Sequence, residues 1–445
     1  MASNRGEFSS SLGFIMAAAG SAIGLGNIWG FPTQTAQNGG AAFVLMYLIL
    51  AFLVGYPLLM AEFVIGRHTR SNPVGAYQKM KGGKNFVPAG FIGILTSSLI
   101  LSFYSIIAGT MMAHFVEPIF RLLGANAIAD WCISNDPIRN ITFTTIFFLL
   151  TISIITGGVK SGIEKWSSRL MPALLVMLIM LTIYVLTLNG AGEGVKIYLL
   201  PDFKKAFTGE LLLGALGQSF FSLSLGVGTM LVYGSYISNK ENLPRLGILV
   251  TLADVGIAFL AGLMIIPAIY VAANAGTQIF DEGGNLISGP NLVFQVLPEV
   301  FKIMGGLGIP AAIIFFLLMS VAALTSSISM LEVPVAYMVD AGKASRKTAT
   351  WVIGGIFWIV GLIIAFGGDA ILNMVVSLTT QYSQPLLGLV ICVFIGWVAH
   401  RNTIIEEIKK GSPDIENTFF MKTWPFFVKF ISPLLILIVF LKQFF

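Results

Sequence analysis

The sequence predicts an all-α integral membrane protein with eleven transmembrane helices, two of them broken, and three observations carry that prediction. Charge is scarce: 445 residues hold 26 Lys+Arg and 21 Asp+Glu, so 11% of the chain is charged against about 25% in an ordinary soluble domain. Apolar residues make up 56% of the chain and the mean hydropathy is +0.87, more than a soluble fold of this length can hide. The apolar residues also come in runs long enough for a helix to cross a bilayer. Together these exclude a soluble globular enzyme, a disordered chain and a nucleic-acid binder. The net charge of +5 reads as an excess in cytoplasmic loops rather than as an anionic partner. Cys132, in a polar loop, and Cys392, in an apolar run, are expected to be free.

Taken in order, the spans are expected at 11–37, 41–66, 88–123, 141–157, 163–188, 211–237, 243–273, 307–339, 349–366, 370–399 and 424–441. Several exceed the roughly 20 residues of one straight crossing, which requires tilt or interruption. The first run contains Asn27, Trp29 and Pro32 and lacks a short apolar core with a small-residue cleavage site, so it is read as a span and not as a cleaved signal peptide. With the N-terminus placed inside, 18 of the Lys and Arg fall in inside segments and 7 outside, with Lys429 in the last span near its inner end. The positive-inside rule then puts the N-terminus in the cytoplasm and the C-terminus outside, in a plasma (inner) membrane. The chain reads as a single membrane domain over 1–445, with no soluble domain or low-complexity tract.

Two spans break the rules of lipid-spanning helices in the same way. The first carries Ala19-Gly20-Ser21-Ala22-Ile23-Gly24-Leu25-Gly26-Asn27, and the sixth carries Gly217-Gln218-Ser219-Phe220-Phe221-Ser222-Leu223-Ser224-Leu225-Gly226-Val227-Gly228. Either segment alone fits close helix packing through small residues. Two of them, five spans apart, fit paired interrupted helices of an inverted-repeat transporter, whose site lies at the breaks. Unwound backbone inside a membrane must line a cavity, because lipid cannot satisfy it. Its free N–H groups attract a carboxylate, and its free carbonyls suit a small hard cation such as sodium. Asn27 adds an amide oxygen and Ser222 a hydroxyl. A third cluster, Ala322 to Ser327 in the eighth span, offers further hydroxyls, which could equally bond back to the preceding turn. Asp254 and Glu62 stand out as acids inside spans, and an intramembrane carboxylate is a functional candidate by default.

These residues resemble a known family. Gly24-Leu25-Gly26 followed by Asn27-Ile28-Trp29 and Phe31-Pro32 is similar to the signature of the neurotransmitter:sodium symporters, in the bacterial, eleven-helix branch. So are Asn38-Gly39-Gly40-Ala41-Ala42-Phe43, Ser102-Phe103-Tyr104-Ser105, Phe220 to Gly226, and Leu324-Thr325-Ser326-Ser327, in the same order along nearly the whole chain. The resemblance implies a 5+5 inverted repeat, with one half at about 11–188, the other at about 211–399 and an additional helix at about 424–441. It also implies symport of a small-molecule substrate with sodium ions, two in number, by alternating access.

Carried over position by position, the resemblance implies one sodium site from Ala22, Asn27, Ser222 and Asp254, the last standing where an amide is usual. A second comes from Gly20, Ile23, Ala322, Thr325 and Ser326. The substrate lies between the breaks, with its carboxylate at the Leu25 and Gly26 N–H groups and the Tyr104 hydroxyl, and its amino group near Ala22, Phe221 and Ser222. Gly24 replaces the aspartate of the monoamine branch, which favours an amino acid. The side chain meets Ile100, Tyr104, Phe221, Ser224, Val227, Ser326 and Met330. None of these is charged, so a charged side chain would arrive unpaired, and a neutral, hydrophobic or aromatic amino acid is expected. An inner gate is implied from Arg5, Tyr236 and Asp340, with Phe8 where tryptophan is usual. The outer ion pair is missing, with Gly30 and Asn373 in its place, which leaves Tyr104 and Phe221 as the outer lid. Gly162 and Pro172 match a spacing that allows inner unwinding in some members, or mark an ordinary helix start with a kink.

Chloride is not expected to be required. Of the four residues that bind it in chloride-dependent members, Tyr47, Gln218 and Ser222 are present, but the fourth is Ala258. An ionised Asp254 is expected to supply the negative charge instead, the alternative being a protonated, structural Asp254. The remaining partner is the lipid bilayer, and a monomer suffices for transport. Competing readings are an enzyme, a channel, a transport-deficient amino-acid sensor, and a carrier of another small zwitterion. Only His68, His114 and His400 are present. There is no His-Glu-x-x-His motif and no Gly-x-x-x-x-Gly-Lys-Ser/Thr loop, which argues against hydrolytic metal chemistry and ATP-driven pumping.

Overall fold

The computed structural model describes residues 6–201, 208–279, 292–342 and 344–443, and among them every regular element is helical. Among the described residues nine helices are long and apolar enough to cross a membrane: Ala41–Thr69, Gly83–Leu122, Pro137–Thr156, Val159–Leu186, Leu243–Asn274, Gly305–Asp340, Arg346–Phe366, Gly368–Val398 and Phe419–Lys442. These are spans two to five and seven to eleven. The first span adds a tenth as a bent pair, Ser11–Ala22 and Gly26–Gln37, with 55° between its halves. The sixth span, expected at 211–237 with a break at its glycines, is a shorter broken pair. That pair is Gly209–Ser222 and Thr229–Gly234.

Local sequence explains where these elements start and stop. Ser10 caps the first span, its side chain accepting from Gly13 N–H. The helix ends at Ile23, whose φ and ψ of −76° and 101° are extended. A π-helical turn at Gly26–Gly30 runs directly into Phe31–Gln37, where Pro32 supplies no N–H for a regular helical bond. Span four starts at Pro137, ahead of the expected 141, because Asp136 caps it through Ile138 N–H. Span nine starts at Arg346 because the Ser345 hydroxyl accepts from Thr348 N–H.

The break in the sixth span runs from 223 to 228. Ser224, Gly226 and Gly228 have φ of 52°, 79° and 81°, and glycine is the residue that tolerates this region freely. At Gly226 a Cβ would also sit 2.5 Å from the Gln384 carbonyl of span ten. The freed backbone is satisfied by Glu62 of span two, which accepts from Gly226 N–H at 2.8 Å and Leu231 N–H at 3.1 Å. A buried carboxylate thus substitutes for the helical carbonyls the break removes, as a non-aqueous medium demands. The third and eighth spans pack along each other more extensively than any other pair, and the broken spans lie against them.

Candidate functional site

The two breaks meet around a cavity of about 30 Å³ lined by Ala22, Gly24, Leu25, Gly26, Ile100, Tyr104, Phe221, Ser224, Val227, Ser326, Met330 and Gln384. Its walls are apolar apart from three hydroxyls and one amide. The Tyr104 hydroxyl accepts from Leu25 N–H at 3.1 Å, and the Ser224 hydroxyl donates to Ser21 O at 3.0 Å. Gly24 is required by space: a Cβ there would lie 2.6 Å from Ser326 Oγ and 2.8 Å from the Tyr104 hydroxyl. Gly26 is required too, because a Cβ would lie 2.8 Å from the Phe221 ring. The sequence reading missed Gln384. Nothing in its local pattern distinguishes it, and it reaches the cavity only because span ten packs on Gly226.

Beside the cavity, oxygens of the first and eighth spans converge. The Ser326 hydroxyl lies 3.5 Å from Gly20 O, 3.2 Å from Ser21 O and 3.4 Å from Ile23 O. Thr325 Oγ1 donates to Ala322 O at 3.0 Å. One hydroxyl proton can serve one carbonyl well, so the cluster has more oxygens than donors. That balance suits a small hard cation, which takes neutral oxygen ligands.

On the other side, Asn27, Ser222, Tyr47 and Asp254 form one buried network. Asn27 Nδ2 donates to Asp254 Oδ1 at 2.6 Å and to Ser222 Oγ at 2.9 Å. Ser222 Oγ donates to Asp254 Oδ2 at 2.8 Å, and the Tyr47 hydroxyl reaches the same oxygen at 3.3 Å. The Asn27 side-chain oxygen accepts from Gly24 N–H at 3.2 Å. Ser222 therefore joins this network and does not line the cavity. The Asn27 oxygen faces the first break, and a cation taking it as a ligand displaces that bond. Gln218 faces elsewhere, with Nε2 donating to Gly26 O at 2.8 Å.

The end of the site nearest the N-terminus is packed shut. Phe8 stacks edge-on against Phe14, Tyr233 and Tyr236, and its N–H donates to Tyr236 O at 3.1 Å. Of the expected inner gate, Arg5 lies outside the described residues. Tyr236 donates to Glu332 Oε1 at 2.5 Å, and Asp340 accepts from Asn72 N–H at 2.9 Å and Nδ2 at 2.8 Å. Glu332 in turn pairs with Arg346. Glu332 and Arg346 were missed, although Glu332 is also an acid well inside a span and so carried the same signal as Asp254. Gly162 sits in a π-helical turn, Val159–Glu164, and Pro172 lies inside the helix that continues from it.

Toward the other end, a vestibule of about 480 Å³ opens above Tyr104 and Phe221 and is lined by Trp29, Gly30, Gln34, Thr380, Gln381 and Gln384 among others. Asn373 is not part of it. It is exposed on Gly368–Val376, and the polar side chains that span ten gives to the vestibule, Thr380, Gln381 and Gln384, lie about two to three helical turns further along. All named residues there are neutral.

Comparison with known proteins agrees with this geometry. The model of the sodium:neurotransmitter symporter family matches residues 5–144 and 136–445. An uncharacterized sodium-dependent transporter of Bacillus subtilis is 36% identical over 98% of this chain and 97% of its own. One from Methanocaldococcus jannaschii is 30% identical over 92% and 85%. The bovine sodium- and chloride-dependent taurine transporter is 27% identical over 76% of this chain and 61% of its own. The crystal structure of MhsT in complex with L-phenylalanine superposes with a TM-score of 0.86 at 38% identity, covering 99% of this chain and all of that one. With matches across both broken spans and nearly the full length, the chain belongs to the sodium:neurotransmitter symporter family.

Proposed function

We propose that the protein imports a neutral, hydrophobic or aromatic amino acid together with two sodium ions, by alternating access within a 5+5 inverted repeat. The observation that carries this reading is the cavity at the two breaks, whose lining holds no charged side chain and is bounded by oxygen clusters on either side. The substrate carboxylate would meet Leu25 and Gly26 N–H and the Tyr104 hydroxyl; Ile100, Val227 and Met330 would take its side chain. Gly20, Ile23, Ala322, Thr325 and Ser326 would ligate one sodium, and Ala22, Asn27, Ser222 and Asp254 the other. That MhsT was solved with L-phenylalanine supports the substrate class.

The Asp254 carboxylate lies within bonding distance of Tyr47 and Ser222, two of the residues expected to hold chloride in chloride-dependent members. This supports a fixed negative charge in the anion's place, with no chloride required. The reading puts the protein in the plasma membrane with its N-terminus in the cytoplasm. The test is a thermal-stability screen of the twenty amino acids in sodium and in potassium. Stabilisation by neutral apolar amino acids only in sodium is expected, and stabilisation independent of sodium, or by charged amino acids, contradicts it.

A further inference from the structure

Away from the transport path, spans ten and eleven cross closely at Gly396, where a Cβ would lie 2.9 Å from Lys429 Cα. Beside this crossing, a cavity of about 550 Å³ opens between the end of span ten, the short helix Arg401–Lys409 and the start of span eleven. It lies at the end of the bundle whose loops carry most of the Lys and Arg. Three cations line it: Arg401, Lys422 and Lys429. Among the described residues none of the three is within ion-pair distance of a carboxylate. The one acid in the lining, Glu416, is already bound to Lys409 at 2.6 Å. Lys429 is half-buried and held by ring faces instead, its ammonium 4.5 Å from the Trp397 ring centroid and 5.6 Å from that of Phe430. Trp397 is fixed in place, since its indole N–H donates to Lys429 O at 3.1 Å.

The cavity therefore carries three uncompensated positive charges, and its ligand should be anionic. Its other walls are apolar, including Ile395, Ile404, Val428 and Phe430. Trp397, Phe426 and Phe430 are 59%, 53% and 45% exposed on helices that face the bilayer. A free inorganic anion has no use for that apolar rim, whereas an amphiphile fills both parts.

We propose that this cavity is a binding site for an anionic phospholipid, its phosphate held by Arg401, Lys422 and Lys429 and its acyl chains laid over Trp397, Phe426 and Phe430. Basic pockets between helices at a membrane surface bind acidic head groups in this way, and the aromatic belt marks the depth at which the head group sits. The bound lipid would bridge span eleven to the Arg401–Lys409 helix, which is docked onto span two through the Arg67–Glu407 pair.

The test is native mass spectrometry of the full-length protein, delipidated in detergent and offered equal amounts of phosphatidylglycerol and phosphatidylcholine. The wild type should retain phosphatidylglycerol on the order of a hundredfold over phosphatidylcholine. The preference should fall roughly fivefold for each charge removed in Lys422→Gln, Lys429→Gln and Arg401→Gln. The double variant Lys422→Arg, Lys429→Arg should keep it, which separates loss of charge from loss of fold. Equal retention of the two lipids by the wild type overturns the proposal. So does an undiminished preference in the triple glutamine variant. Displacement of the lipid by equimolar glycerol phosphate would overturn it as well, because the head group alone would then account for binding.

Discussion

Asn27 and Asp254, from the first and seventh spans, are joined by a 2.6 Å hydrogen bond from the amide nitrogen to the carboxylate. The bond ties the broken first span to a span that runs unbroken past it. The carboxylate also accepts hydrogen bonds from Ser222 of the second broken span and from Tyr47 of the second span. One side chain thus joins residues from four spans, beside the place where the reading puts a sodium ion.

If the Asp254 charge replaces a bound anion, uptake by the wild type should persist when chloride is replaced by gluconate. Asp254→Asn should lose activity or sodium affinity, because removing one partner of a buried charged network leaves the others mismatched. Uptake assays in the two anions check this, and a wild type that stops without chloride would overturn the assignment.

Substrate size should be set at Val227, buried in the cavity wall. Val227→Phe should penalise tryptophan and phenylalanine relative to alanine by about 1–3 kcal/mol, the range for volume changes in apolar pockets. Competition binding with the three amino acids measures it. Equal losses for tryptophan and alanine would mean that the side chain lies elsewhere.

Two glycines should behave oppositely. A Cβ at Gly66 would lie 2.0 Å from the backbone oxygen of Leu231, against which nothing can give way, whereas at Gly30 the nearest atom is Gln218 Oε1 at 3.6 Å. Gly66→Ala should cost more than the 1–3 kcal/mol typical of overpacking and fail to yield folded protein. Gly30→Ala should stay within about 0.5 kcal/mol of the wild type. Size-exclusion profiles and thermal melts of both variants check the pair.

Much of this was legible in the sequence, for definable reasons. The breaks announce themselves because Gly24, Gly26, Gly226 and Gly228 sit where an apolar helix has no use for them. Thr325 and Ser326 were visible as hydroxyls in an apolar run. What sequence could not show was how distant spans answer one another. Glu62 was noticed as a charge, yet its task of capping the unwound sixth span appears only when span two lies beside it. Gln384 and the Glu332–Arg346 pair depend in the same way on packing between remote segments. The shape of the sixth span was also not readable, because composition alone does not say how short its inner half is.

Arg67 and Glu407 form a second charged pair that pattern did not reveal. They lie 2.8 Å apart with side chains 0% and 1% exposed. Burial alone would raise the Glu407 carboxyl, but bonds from His68 and Lys410 and the Arg67 charge hold it down at about 2. A folded-state value below the unfolded one means stability that is full above about pH 4.5 and is lost as pH falls toward 2. Glu407→Gln should remove about 3–5 kcal/mol by stranding Arg67 and should flatten that acid limb. Thermal melts from pH 7 to pH 3 measure both effects, and an acid limb as steep in the variant as in the wild type would assign it to other groups.

The central claim is coupling of substrate to sodium at the two breaks. The most direct measurement is uptake of labelled phenylalanine into proteoliposomes, driven by an inward sodium gradient or by an equal potassium gradient. The account predicts accumulation with sodium, none with potassium, and loss of accumulation in both Asn27→Ala and Thr325→Ala. Equal uptake in the two gradients, or full sodium-driven uptake by both variants, would contradict it.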